Sequence, residues 1–543
     1  MIATYLSSRP DRAIYAWGLF SALPLQVQDE SHVYAPQSQQ SPNQKGRRMK
    51  RTNALFVLTL FGLLLSPVLA QNMPGMPMSK IPPGGKDDAK KQAMPMSNSG
   101  NMKPGGMPGM DTMQSMKSTT DLADPMSQEG SGTSWLPASS PMYGYAEMHG
   151  GNTLMLHGAI APRYVNVGSK RGDRRLDAPS WFMGMVSHPL DARSQIGVRA
   201  MVSLDPIIEG GYGYPDLYAT GETWHSQSLH DRQHPHELVS ELSAAYSRLL
   251  GGGNSAYLYV ADPGEPALGP PAFMHRVIGY DYMPAPIGHH WEDATHILFG
   301  VATIGINLGG KFKVEGSKFT GRDPNENRYN FDKPRFDSES ARLSYNPDAN
   351  NSFQVSQGFI YSPDGTNVNQ HRATASWLFN KAVGKDANFS TSLIFGQNVE
   401  TQGYGKTNAY LAEADYQRDA NTFFARFENV QKTGKDLVLA DTLQYDKYTL
   451  GAYTAGYIRD LTHGKGVDTG IGAAVTADTN PSSLNSYYGS GTHVGFEIFF
   501  RFRPSRMGGR DGSVNMRGMD MSGMGSMSND GQMPSMDMGS GKH

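Results

Sequence analysis

The sequence predicts an all-β chain, a transmembrane antiparallel β-barrel of about 16 strands with disordered Met-rich N- and C-terminal tails. Three observations carry that reading. From Gly151 to Arg503 the chain runs in stretches of about ten residues that alternate apolar and polar side chains. Short and long connections alternate between those stretches, as the short inner turns and longer outer loops of a single-chain bacterial barrel require. The hydrophobic fraction is 38%, too low for a bundle of membrane helices but suited to strands that place every second residue on a polar interior.

Taken in order, residues 1–48 read as an upstream extension or unstructured leader, with Met49 the expected start. Residues 49–70 read as a signal peptide. The basic cluster Arg47, Arg48, Lys50, Arg51 precedes the one long apolar run, Ala54 to Leu65, and a small-residue site for cleavage ends at Ala70. That run is too short and too Pro-interrupted to be a spanning helix. Residues 71–140 are Met, Pro, Gly, Ser and Lys without periodicity, so they cannot bury a core and are expected to be a disordered periplasmic tail. Residues 141–503 form the expected barrel, and 504–543 a second Met/Gly/Ser-rich tail.

Within the barrel, Leu411, Glu413, Asp415 and Gln417 share one strand face while Tyr410, Ala412, Ala414 and Tyr416 share the other. Arg372, Thr374 and Ser376 oppose Ala373, Ala375, Trp377 and Phe379 in the same way. Gly-, Asn- or Asp-rich turns are expected near 191–194, 251–254, 309–310, 346–351, 384–386, 418–421 and 460–464. Longer loops are expected at 163–179, 205–235, 262–293, 321–335, 362–370, 399–406, 433–445 and 478–490. The last strand, His493 to Arg503, turns Val494, Phe496, Ile498, Phe500 and Phe502 outward. An even strand number returns both tails to one side, the periplasm.

Lys and Arg total 48 against 50 Asp and Glu, so no basic excess argues for nucleic acid as a partner. Cysteine is absent, which leaves soft-metal chemistry to Met and His. Met73, Met76, Met78, Met94, Met96, Met107 and Met110 crowd the first tail, and Met516, Met519, Met521, Met524 and Met527 the second. Thioethers are neutral and soft, and at this spacing two or three can converge on Cu(I) or Ag(I). Plain linker or oxidant scavenger are the alternatives. His225, His230, His234 and His236 end one long loop, and His275, His289, His290 and His296 lie in or beside the next. Neutral imidazoles so placed suit Cu(II) or Zn²⁺, more so if both loops fold into the barrel mouth. Glu237 and Glu241 are candidate supplements. Arg426, Glu428, Glu413, Asp415, Glu497 and Arg501 read as the ion-pair lining of a barrel interior. No nucleophile elbow, P-loop, zincin or dinucleotide motif stands in a convincing setting, so the chain is not read as an enzyme.

In joining a Met-rich segment to a β-barrel, the chain resembles the copper-resistance outer-membrane proteins of the PcoB/CopB kind, across the architecture of the mature chain. Their Met repeats mix in His and Asp, whereas this N-terminal tail reaches no His before His149. The resemblance implies residence in the outer membrane of a Gram-negative-type bacterium. It also implies copper, as Cu(I), or silver as loosely held cargo with no tightly bound cofactor. The expected partners are outer-membrane lipid, metal ions and periplasmic copper-handling proteins. The competing expectation is a general or substrate-specific porin with incidental tails.

Overall fold

The computed structural model describes residues 116–507, apart from 385, 386 and 465. The first strands are β1 (Gly144–His149), β2 (Asn152–Ile160), β3 (Arg163–Asn166), β4 (Arg174–Asp177), β5 (Ser180–Asp191) and β6 (Ser194–Val202). A separate hairpin, β7 (Tyr214–Trp224) and β8 (Gln227–Gln233), sits within a loop. There follow β9 (Val239–Gly251), β10 (Asn254–Ala261), β11 (Val301–Leu308), β12 (Phe312–Phe319), β13 (Ser338–Asp348), β14 (Asn351–Ile360) and β15 (Gln370–Val383). The rest are β16 (Ala387–Glu400), β17 (Gly405–Arg418), β18 (Asn421–Thr433), β19 (Lys447–Thr462), β20 (Val467–Thr479) and β21 (Thr492–Pro504).

These make a closed antiparallel barrel of 16 strands. Two of the sixteen are interrupted. β3 continues β2 and β4 leads into β5 without a change of register, Ile160 facing Ser180 and Arg163 facing Asp177. Residues 163–166 and 174–177, expected in a loop, are therefore strand. The prolines at 162 and 179 cannot donate to a ladder, so each breaks its strand while the pairing resumes beyond. Closure comes from β21, which pairs with β3 and with Ile160 of β2. Beyond Ile160, the same row along β2 is taken over by β1, with Gly144 facing His157 and His149 facing Asn152.

Alternation produces the two faces. On β21, Val494 is 62% exposed on the outside, whereas Arg501, on the opposite strand face, is fully buried in the lumen. Outward Phe312, Tyr345, Phe353 and Trp377 stack across four strands near the short turns, the position of an interfacial aromatic girdle. Turns are tight at this end. Gly309 and Gly310 both take left-handed backbone (φ +64° and +66°), which glycine adopts without steric cost. Apolar outside, polar inside, short turns at one rim and long loops at the other are the architecture of an outer-membrane, porin-like barrel.

Two segments fill the lumen. Residues 116–140, expected from composition to belong to the tail, are packed inside the barrel at the short-turn end. They need no apolar period, because their partners are polar lumen side chains. Asp121 accepts from Ser255 (2.7 Å), Asp124 from Asn307 and Trp135 (2.7 and 2.6 Å), and Leu136 O from Asn346 (3.0 Å). The second segment is the loop 262–300, almost wholly buried. Arg276 clasps it to the wall through Glu413 (2.5 Å), and Asp281 is held by Arg501 and Arg503. Arg426, Glu413, Glu497 and Arg501 do line the interior in ion pairs, as expected, but two of the pairs, Arg276–Glu413 and Asp281–Arg501, fasten the inserted loop.

Candidate metal centre

Two long loops meet over the lumen. The first, between β6 and β9, delivers His234 and His236 on extended chain around Pro235. The second delivers His289 and His290 on the helical turn His289–Glu292, and His296 on the turn Ala294–His296. The second loop is fixed at several points. Trp291 Nε1 donates to Thr407 Oγ1 (2.8 Å), the Gly288 amide to Glu428 (3.2 Å), and Arg372 and Asn398 donate to His290 O (2.6 and 3.0 Å).

The five imidazoles form a closed ring. Centroids lie 5.3 Å apart for His236 and His296, 5.1 Å for His296 and His289, 5.4 Å for His289 and His290, 5.6 Å for His290 and His234, and 6.3 Å for His234 and His236. Two imidazoles on one tetrahedral ion would hold their centroids roughly 5 Å apart, given metal–nitrogen bonds of about 2.0–2.1 Å. Among the described residues no three His, Asp or Glu groups already converge at bonding distance. Four of the five gaps come close to that spacing, and side-chain rotation would have to bring the ring nitrogens to one point before they could hold an ion.

Tautomers follow from the partners. His236 Nδ1 donates to Asp205 (2.8 Å), His234 Nδ1 to the Pro235 carbonyl (3.4 Å), His289 Nδ1 to Asp293 (2.5 Å) and His296 Nδ1 to the Asp293 carbonyl (2.9 Å). Each bond places the lone pair on Nε2. In all five rings that Nε2 is buried and has no hydrogen-bond partner. An oriented imidazole, carboxylate behind and free nitrogen ahead, is the arrangement that supports a metal ligand. An unpaired buried polar atom otherwise costs about 1–3 kcal/mol.

Burial, then the other imidazoles and Arg328, holds His234 well below its ordinary range; burial, then His289, does the same for His290 and His296. Burial lowers His289 too, opposed by Asp293. Burial raises the Asp293 carboxyl, but Arg276 and His289 outweigh it and keep it ionised. Burial pushes Glu222 up to about 7 against the pull of Arg328. These four rings are therefore neutral at pH 7, the form that ligates metal.

Access comes from the loop end. A vestibule of about 530 Å³ is bordered by Glu222, Asp323, Glu326, Asp364, Glu400 and Asp436 against Arg322, Arg372 and Lys435, and His290 stands on its wall. Gly221 lets the ring sit where it does, since its φ is +112° and a Cβ there would fall 2.4 Å from His290 Nε2.

Of the four histidines singled out in the first loop, the structure brings His234 and His236 together. His225 is exposed against Trp224, and His230 turns to Asp231 (2.8 Å), so neither joins the ring. Glu237 is committed to Arg328 (2.7 Å) and Glu241 to Arg199 (2.6 Å), which removes both as ligands. Sequence spacing could not pair His234 with His289 or His296, because the contact depends on the second loop folding inward. The tail methionines Met73 to Met110 and Met516 to Met527 lie outside the described residues.

No protein-family model matches the chain, and no curated protein matches it. Solved structures similar to it include an anion-selective porin from Comamonas acidovorans (12% identity, TM-score 0.40, covering 65% of this chain and 99% of the porin). Another is OmpF of Salmonella typhi in complex with daunomycin (12%, 0.39, 65% and 98%). The outer membrane channel DcaP of Acinetobacter baumannii is a third (10%, 0.39, 67% and 100%).

Proposed function

We propose that this porin-like barrel binds and handles transition-metal ions, copper or silver first, with the histidine ring as its centre in the lumen. The observation that carries the proposal is the set of five buried imidazole Nε2 atoms without partners, four of them in rings oriented through Nδ1 toward a carboxylate or a carbonyl. Imidazole suits Cu and Zn and does not suit Mg²⁺ or Ca²⁺. Two inserted segments occupying the lumen also fit selective ion handling better than free diffusion of solutes. In this reading the tail methionines collect Cu(I) in the periplasm, as weak, exchangeable and multivalent ligands.

The test is Cu(II) titration of the full chain in detergent, followed by electron paramagnetic resonance. A one-ion signal with several nitrogen ligands is expected, and His289→Asn with His296→Asn should weaken binding at least about tenfold. Equal binding by the variant, or no nitrogen coupling, would overturn the proposal in favour of a substrate-specific porin.

A further inference from the structure

Below the histidine ring, toward the short turns, lies a second cluster of ligating side chains. On the lumen face of β2 and β5, Met155 pairs with Met185 and His157 with Met183, and Met183 in turn faces Met201 on β6. Directly paired residues place their Cβ atoms about 4.5–5.5 Å apart, within easy reach for thioethers. Met155, Met183, Met185, His157 and His275 border one cavity of about 40 Å³, with Met126 from the inserted N-terminal segment and Met142 just after it closing the cavity. That is more than the roughly 10–15 Å³ needed to hold one water.

The usual explanation for buried Met is gap filling. The composition here argues otherwise. Of the 22 residues in this buried cluster nine are Met and two are Ile; Leu136 and Val277 border the cavity from the inserted segments, while the barrel wall gives it only Met and His. Filling alone would draw on the branched aliphatics that other cores use. His157 is aimed like the upper histidines, its Nδ1 meeting Tyr280 Oη (3.0 Å) while its buried Nε2 has no partner. Gly144, facing His157, leaves room for Met155, whose methyl carbon would lie 2.9 Å from a Cβ at that position. The nearest carboxylate on the cavity, Glu129, is taken by Arg199 (2.9 Å).

We infer that this chamber is a second, softer metal site, in which Met155, Met183, Met185 and His157 ligate a monovalent soft cation, Cu(I) or Ag(I). Thioethers with one imidazole and no free carboxylate select such ions over hard divalent ones. Phe273 and His275, on one helical turn, join the two centres: the Phe273 ring packs on His236, His289 and His296, and His275 borders the chamber. The inference does not depend on the ring binding metal.

The test adds Ag(I) to the full chain in detergent and follows both thermal unfolding and the oxidation of each methionine by peroxide, resolved by peptide mass spectrometry. Ag(I) should raise Tm and slow sulfoxide formation at Met155, Met183 and Met185 at least about fivefold. Met155→Leu/Met183→Leu/Met185→Leu, which keeps volume, should abolish the Tm shift. His289→Asn/His296→Asn should keep it, which separates this site from the upper one. If the triple variant retains the full Tm shift, the chamber is packing alone and the silver bound is held elsewhere. Unchanged oxidation of the three chamber methionines beside protected tail methionines would overturn the inference equally.

Discussion

At the scale of single residues, the histidine ring depends on groups that touch no ion. Asp205 fixes the tautomer of His236, and Asp293 does so for His289. Asp205→Asn should therefore lower Cu(II) affinity by about tenfold or more while leaving the barrel folded, because loss of an outer carboxylate removes orientation without removing a ligand. Isothermal titration checks it, and an unchanged affinity would mean His236 is not a ligand. Gly221→Ala tests the ring by crowding it. The new methyl group meets His290 in a backbone conformation that L-residues resist, so the expected outcome is a weakened site with intact β-sheet circular dichroism.

At the scale of elements, Arg342 ties three parts together. From the wall at β13 it reaches Glu315 on β12 (2.8 Å), Thr133 in the N-terminal segment (2.8 Å) and the Gly269 carbonyl in the long loop (3.0 Å). Arg342→Met leaves buried Glu315 with Lys313 (3.8 Å) and the hydroxyls of Tyr257 (2.6 Å) and Thr133 in place of the guanidinium. Breaking a buried ion pair by removing one partner costs about 3–5 kcal/mol. Hydrogen exchange should rise in 128–136 and 266–272 while the strands stay protected. Exchange unchanged in both segments would show that other contacts hold them. The inward packing of 116–140 is not legible in the sequence. Without apolar periodicity the segment carries the composition of a solvated linker, and the polar lumen supplies the distant partners of Asp121 and Asp124, Ser255 and Asn307. The chamber methionines escape a reading of the sequence for a related reason: Met155, Met183 and Met185 occupy inward positions where a polar residue is usual, and their pairing needs the strand register.

At the scale of the whole molecule, the strands are the most legible part. Period-two alternation and turn chemistry are local, so the faces of β15, β17 and β21 can be assigned residue by residue. Contacts between loops are not local, and sequence alone can name the histidines but not their grouping. The outward face gives a direct check on the barrel. Ile304, 67% exposed on β11, should cost about 2–4 kcal/mol when changed to Arg if it lies near the bilayer midplane, read from folding titrations into lipid vesicles. No change would place that face away from hydrocarbon.

The shared closing row bears on how the chain avoids misassembly. Joining β21 to β3 brings together residues more than 300 positions apart, a slow event because so much chain must be ordered first. Until it happens, the first strand would offer an unpaired edge to any other strand nearby, including those of a second copy. The hairpin of β1 and β2 needs only a two-residue turn and so covers Asn152 to His157 early. What remains open is the stretch from Ile160 to Asn166, where Pro162 withholds a donor. The N-terminal hairpin thus works as a guard on the barrel's leading edge, and a chain lacking residues 144–149 should form aggregates during refolding before it loses any of its final closure.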